Sequence, residues 1–291
     1  MRQQNFFTRL LGPIYRPIWR RYLFYLRLQR GRTKFGTFVD YGHYLWLHFV
    51  EQSICAKRGM AKMATVKLLS YNQPFLVRLG TTDLLCLTEV VLEDEYEDLL
   101  QLSSPVAHLV IDIGANVGYA IRLFSRHFPD ATIIGIEPLP ANMELCRRNA
   151  ALAGTERVHL IECCIVGHPR EVMLDESGGA WATRIAEPDG TRSAVVYQGR
   201  TLDEVLEDLK LATVPIDILK MDIEGAEREV IMAGGDWLGR VQRMAVEVHS
   251  PYTPQQFIAD LTATGFQFEW KAIDEVVLAW RSDGCRRQQE A

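Results

Sequence analysis

Hydrophobic and polar positions change period repeatedly along this chain, and from residue 106 onward the changes become regular. Short apolar runs alternate there with segments of helical spacing, the rhythm of a parallel sheet covered by helices. Residues 109–113, 132–136, 158–161, 216–221 and 243–248 predict five strands. Helices are predicted over 119–128, 141–153 (stopping at Gly154), 202–209 and 254–264 (ending at Gly265). Residues 172–174 and 193–197 read as an inserted hairpin. Residues 266–270 and 276–280 read as an antiparallel pair that closes a seven-stranded, mostly parallel sheet.

Upstream the pattern is less regular. Residues 41–56 place His43, Leu47, Val50 and Ile54 at helical spacing. Residues 65–69 and 75–79 read as strands around the turn cluster Tyr71-Asn72-Gln73-Pro74. Thr82-Asp83 is a cap for a following helix, 93–102 is a short helix, and Ser103-Ser104-Pro105 is a boundary. The chain therefore divides into a basic aromatic-rich segment (1–40), an α/β extension (41–105), an α/β domain (106–281) and a polar tail (282–291).

At 291 residues, 48% hydrophobic and 24% charged, the chain reads as a soluble globular protein with ample core. Its charge is uneven. Residues 1–39 hold nine Lys/Arg (Arg2, Arg9, Arg16, Arg20, Arg21, Arg27, Arg30, Arg32, Lys34) and no acid, so against a total of −5 the remainder carries −14. An acidic body argues against a nucleic-acid substrate. The basic start is too interrupted by arginines for a signal peptide or a membrane span. Two readings of it stand: peripheral contact of residues 1–34 with an anionic membrane, or a helix packed on its own domain, with Pro13 and Pro17 breaking any continuous face. Six scattered cysteines lack metal spacing and read as reduced thiols. That places the protein in the cytoplasm, with the inner membrane face as the alternative site. Oligomeric state has no signature.

The chemistry gathers where strands end, because open parallel sheets bind ligands beyond their carboxyl edges. The first strand runs into Asp112-Ile113-Gly114-Ala115-Asn116-Val117-Gly118. A dinucleotide fold wants glycine at first, third and sixth positions; Gly114, Asn116 and Tyr119 stand there, so a nicotinamide oxidoreductase is the weaker reading. The D-x-G-x-N-x-G pattern resembles that of S-adenosylmethionine methyltransferases, in which the carboxylate faces the donor's amino-acid end. Glu137, ending the second strand, suits two ribose hydroxyls, and Glu162-Cys163-Cys164 suits adenine. After the fourth strand, Lys220, Asp222 and Glu224 alternate and would share one side if the strand continued. Asp222 or Glu224 could take a hydroxyl proton, and His249 is the other candidate base. Magnesium on Asp222, Glu224 and His249 is a rival use, but no third carboxylate at a clear strand end supports it, so no metal is assigned. Trp181 either covers the acceptor or is an exposed loop aromatic.

Several blocks resemble the FkbM-type methyltransferases: I-E-P-L-P-A-N at 136–142 with Arg148-Asn149-Ala150, T-L-D at 201–203, D-I-L-K-M-D-I-E-G-A-E at 217–227 and V-E-V-H at 246–249. Val77 to Asp83 resembles that family's R-x-G-T-S-D segment, with Thr82 in place of serine. The likeness spans residues 75–250. It implies a class I, Rossmann-like α/β fold and transfer of a methyl group to a hydroxyl of a sugar, glycoconjugate or secondary metabolite. It also implies S-adenosylmethionine held by Asp112, Gly114, Asn116, Gly118, Glu137, Asn142, Cys164, Thr81 and Asp83, with Lys220, Asp222, Glu224 and His249 catalytic. A protein that binds the donor without turnover is the remaining alternative.

Overall fold

A computed structural model describes residues 28–29, 31–51, 62–103, 106–154, 156–175, 184–185 and 195–281. The Trp181 loop, most of the basic segment and the polar tail lie outside them. The described residues group into two compact units, one drawn from the chain up to Gly80 plus Leu84–Glu93, the other from Thr81–Asp83 and from Asp94 onward.

In the first unit, helix α1 (Phe38–Val50) starts at Thr37, whose hydroxyl accepts from Asp40 N at 3.1 Å. Strands β1 (Lys62–Val66) and β2 (Phe75–Leu79) form an antiparallel hairpin with Lys62 opposite Leu79. The first strand thus lies three residues earlier than its hydrophobic pattern predicts. Register with β2 leaves 67–74 to the connection, so Leu68 is buried from a loop. A short helix α2 (Asp83–Leu87) leads into a π-helical turn, Thr88–Leu92. Tyr44 is fully buried and its hydroxyl meets Thr88 Oγ1 at 2.7 Å.

The second unit begins with α3 (Glu97–Leu102) and is built on seven strands. Five are parallel: β3 (Leu109–Ile113), β4 (Thr132–Ile136), β5 (Val158–Ile161), β10 (Ile218–Met221) and β11 (Arg243–Glu247). Strands β12 (Glu269–Ile273) and β13 (Val276–Trp280) complete the order β12-β13-β11-β10-β3-β4-β5, and β13 runs antiparallel to both neighbours. Every residue of β3 is buried, as expected of a strand covered on both faces. The covering helices are α4 (Tyr119–His127), α5 (Pro140–Ala151), α6 (Leu202–Asp208), α7 (Glu227–Ala233), α8 (Asp236–Arg240) and α9 (Pro254–Ala263). A small sheet of β6 (Cys164–Ile165), β7 (Arg170–Asp175), β8 (Arg184–Ile185) and β9 (Val196–Arg200) contains the predicted hairpin, with Val172 opposite Tyr197.

Local chemistry explains several motif residues as structural. Thr201 closes a capping box with Glu204 at the start of α6, Leu202 is core, and Asp203 accepts from Asp236 N and Trp237 N at the start of α8. Asp217 accepts from His108 N and Leu109 N, fixing the entry of β3 beside β10. No helix among the described residues is long and apolar enough to cross a membrane.

Candidate cofactor cleft and acidic cluster

The turn after β3 is shaped by its neighbours. Gly114 has φ +78°, and a Cβ there would collide with the backbone carbonyl of Asp222, so β10's exit and this turn can be adjacent only with glycine. Gly114 N and Ala115 N both donate to Ile136 O at 2.9 Å, binding the turn to the end of β4. Gly118 (φ +85°) lies against Cys146 of α5 and begins α4. A side chain there would press on Cys146, so glycine lets α4 and α5 pack closely at this point.

A cleft opens at the carboxyl edge of the sheet. Gly114, Asn116, Glu137, Cys164, Asp222 and Glu224 lie on its wall. Glu137 is almost wholly buried, yet Asn116 N and Leu139 N donate to it at 3.0 Å and Asn142 Nδ2 at 3.3 Å. Burial pushes its carboxyl up to about 7, against the pull of those donors. Asn142, buried and absent from the wall, therefore holds Glu137 rather than facing the cleft. Cys164 does line it, as a buried thiol raised to about 12 by burial. The cysteines among the described residues are free thiols.

Asp112 and Lys220 are buried side by side on adjacent strands. Neither is on the wall. Lys220 Nζ lies 3.2 Å from Asp112, 3.7 Å from Asp222, and donates to Gly114 O at 2.6 Å. Burial opposes the lysine's charge, but Asp112 and Asp222 hold its pKa above the ordinary value, while burial pushes Asp112 up. The pair is a buried strut beneath the glycine turn. Thr81 and Asp83 are likewise off the wall; Thr81 Oγ1 accepts from Asp83 N at 3.2 Å at the start of α2.

The alternation of Lys220, Asp222 and Glu224 does not persist. Strand β10 ends at Met221, and Glu224 takes a left-handed φ of +55° in the turn before α7. That turn nevertheless brings Glu224 and Asp222 to one imidazole. His249 Nε2 lies 3.4 Å from Glu224, 3.7 Å from Asp222 and 3.7 Å from Glu247. Its Nδ1–H donates to Glu227 Oε1 at 2.7 Å, and the same oxygen accepts from Gly225 N at 3.0 Å. Burial disfavours the imidazolium, but the Glu227 bond and the charges of Glu227, Glu224 and Asp222 prevail and raise its pKa to about 9. Burial and Asp222 raise Glu247 to about 7. Ligand atoms of Asp222, Glu224 and His249 all lie within 4.8 Å of one another, so one cation would fit that trio.

Glu227 and Glu247 were not predicted as site residues. Glu227 sits in the E-G-A-E stretch as an ordinary first-turn acid of α7. Only its complete burial and its contact with a residue 22 positions away mark it. Glu247, which ends β11, is the third strand-end carboxylate that the sequence pattern did not disclose.

Sheet order, glycine turn and an acid at the end of β4 define a class I methyltransferase fold. A family model described as "Methyltransferase FkbM domain" matches residues 112–278, more than half the chain, and the chain belongs to that family. The family's methyl donor is S-adenosylmethionine. Among curated proteins, the chain is 27% identical over 165 residues to "2-O-methyltransferase NoeI" of Sinorhizobium fredii, covering 51% of this chain and 65% of that one. It is 26% identical over 146 residues to "Methyltransferase 1" of Beauveria bassiana, covering 44% and 58%. The chain thus spans under two thirds of the length of these relatives. Among solved structures it is similar to a precorrin-6y C5,15-methyltransferase from Geobacter metallireducens, at 17% identity and TM-score 0.41, covering 66% of this chain and 88% of that one.

Proposed function

We propose that this chain is an O-methyltransferase acting on a hydroxyl of a sugar, glycoconjugate or secondary metabolite. The carrying observation is one cleft with a donor-satisfied buried carboxylate, Glu137, and a separate pair of acids, Asp222 and Glu224, backed by His249 and Glu227. The printed name of the Sinorhizobium relative, a 2-O-methyltransferase, supports a hydroxyl acceptor. When bound, S-adenosylmethionine supplies an electrophilic methyl group together with its own leaving group. The chain's residues must hold two partners in line and remove a proton. Glu137 is placed to accept hydrogen bonds from ribose hydroxyls. Asp222 and Glu224 receive the acceptor hydroxyl, and its proton passes to His249 Nε2, which touches both acids. Glu227 is a positioning residue: its bond to Nδ1 aims Nε2 at them.

This assignment has a pH consequence with a definite sign. A base with a pKa of about 9 is mostly protonated at neutral pH and gains basic form as pH rises. Turnover is expected to climb about tenfold per pH unit below that value and level off near it, instead of near the ordinary histidine value of about 6.5. In Glu227→Gln the neutral partner no longer favours the imidazolium, so the limb shifts to lower pH. His249→Ala is expected to lose about 10²–10⁴-fold in kcat with little change in donor affinity. A profile with its limb unmoved in Glu227→Gln removes the positioning role. Activity abolished by EDTA and restored by magnesium would instead put a cation among Asp222, Glu224 and His249.

A further inference from the structure

We propose that the outward face of α1 is a docking surface for an anionic lipid bilayer. At 100° per residue, Tyr44, Leu47 and His48 share one side of this helix and are buried. Phe38, Val39, Trp46 and Phe49 fall within an arc of about 100° on the other side, and they are 75%, 79%, 56% and 55% exposed. Single exposed apolar residues are ordinary, whereas a stripe of four large ones along one helix face marks a contact surface. Leu69, 66% exposed, adds to it from the chain beside the helix entry, where its N–H donates to Lys34 O at 2.7 Å. The acid within the helix, Asp40, lies off the arc and receives Thr37 Oγ1–H at 2.6 Å.

Charge identifies the partner. Residues 1–80 contain fourteen Lys/Arg and two acids, a net +12, so the rest of the chain carries −17 within the total of −5. Arg32 lies 4.6 Å over the ring of Phe38, which places a cation at the end of the apolar stripe. An apolar helix face bearing Trp and Phe, with the Arg32 cation at its end and a strongly basic sequence on either side of it, is the pattern of a helix lying in the headgroup layer of an anionic leaflet. A second copy is disfavoured because two such +12 regions repel. Single-stranded nucleic acid would use aromatic platforms, and the aliphatic Val39 and Leu69 offer bases nothing to stack on. The membrane contact suggested by the first 34 residues thereby extends to the helix Phe38–Val50.

The test is co-sedimentation of the full-length chain with phosphatidylglycerol–phosphatidylcholine vesicles and with phosphatidylcholine vesicles. Wild type is expected to pellet with the anionic vesicles and to stay in solution with the neutral ones. Trp46→Ser/Phe49→Ser is expected to lower anionic-vesicle affinity by at least about tenfold, with unchanged circular dichroism and S-adenosylhomocysteine binding. Phe38→Ser/Val39→Ser, on the first turn of the same face, repeats the test. Sedimentation like wild type by both variants overturns the proposal, as does wild type that fails to pellet. Retention of single-stranded RNA without vesicle binding, or a dimer lost in the variants without vesicle binding, overturns it too.

Discussion

Lys220→Met is expected to destabilise the fold by about 3–5 kcal/mol, the cost of breaking a buried ion pair on one side only. Asp112 is fully buried and the Lys220 ammonium lies 3.2 Å from it, so removing that ammonium leaves a buried charge without its offsetting partner. The carbonyl of Gly114 loses its donor in the same substitution. The penalty has a pH signature. Burial already pushes Asp112 up, and without Lys220 its folded-state pKa rises further above the unfolded value. The variant then gains stability from a protonated Asp112 at low pH and loses it as pH rises through the folded pKa. Urea unfolding at pH 5 and pH 8 should therefore show the larger deficit at pH 8. Asp112→Asn/Lys220→Met should recover most of the loss, because no unpaired charge remains. A deficit in Lys220→Met well below about 1 kcal/mol, the value of a solvated pair, would mean that the strut is hydrated.

The second large effect is on donor binding at Glu137. On the proposed role, loss of two charge-assisted bonds to ribose hydroxyls at about 1.5–3 kcal/mol each would make Glu137→Ala about 10²- to 10⁴-fold weaker for S-adenosylhomocysteine. The substitution also strips the acceptor from Asn116 N and Leu139 N, which loosens the glycine turn. Glu137→Gln is the milder change: it removes the charge and keeps one acceptor oxygen, while the other oxygen becomes an amide NH2. Because burial raises the Glu137 pKa to about 7, the hydrogen-bond-accepting form increases as pH rises through neutrality. Affinity in wild type should tighten between pH 6 and pH 8 and then level off. In Glu137→Gln that slope should vanish. A slope that persists in the variant would assign the titration to another group.

The sheet was readable because its strands are short, apolar and terminated by polar or glycine residues, so period and punctuation agree. Glu137 was readable for the same reason: an acid ending a parallel strand has few places to point except the cleft. Asp112 obeys that pattern too, but nothing local reveals its ion pair with Lys220, 108 positions on. The strand-period reading of Lys220, Asp222 and Glu224 failed at Gly225, where the chain turns with φ +110° just after Glu224 enters the left-handed region. His249 was visible as a candidate base, but its raised pKa was not, because the carboxylates responsible come from the turn and helix start that follow β10. The exposed stripe of α1 was hidden because helical spacing identifies two faces without saying which one is covered.

Glu137 and its cleft are the proposed seat of the sulfonium donor. Isothermal titration of the wild-type chain with S-adenosylhomocysteine and with NAD, repeated on Glu137→Ala, addresses it most directly. One equivalent of S-adenosylhomocysteine should bind, NAD should not, and the variant should lose at least tens-fold in affinity. Binding of NAD in its place, or equal affinity in the variant, would contradict it.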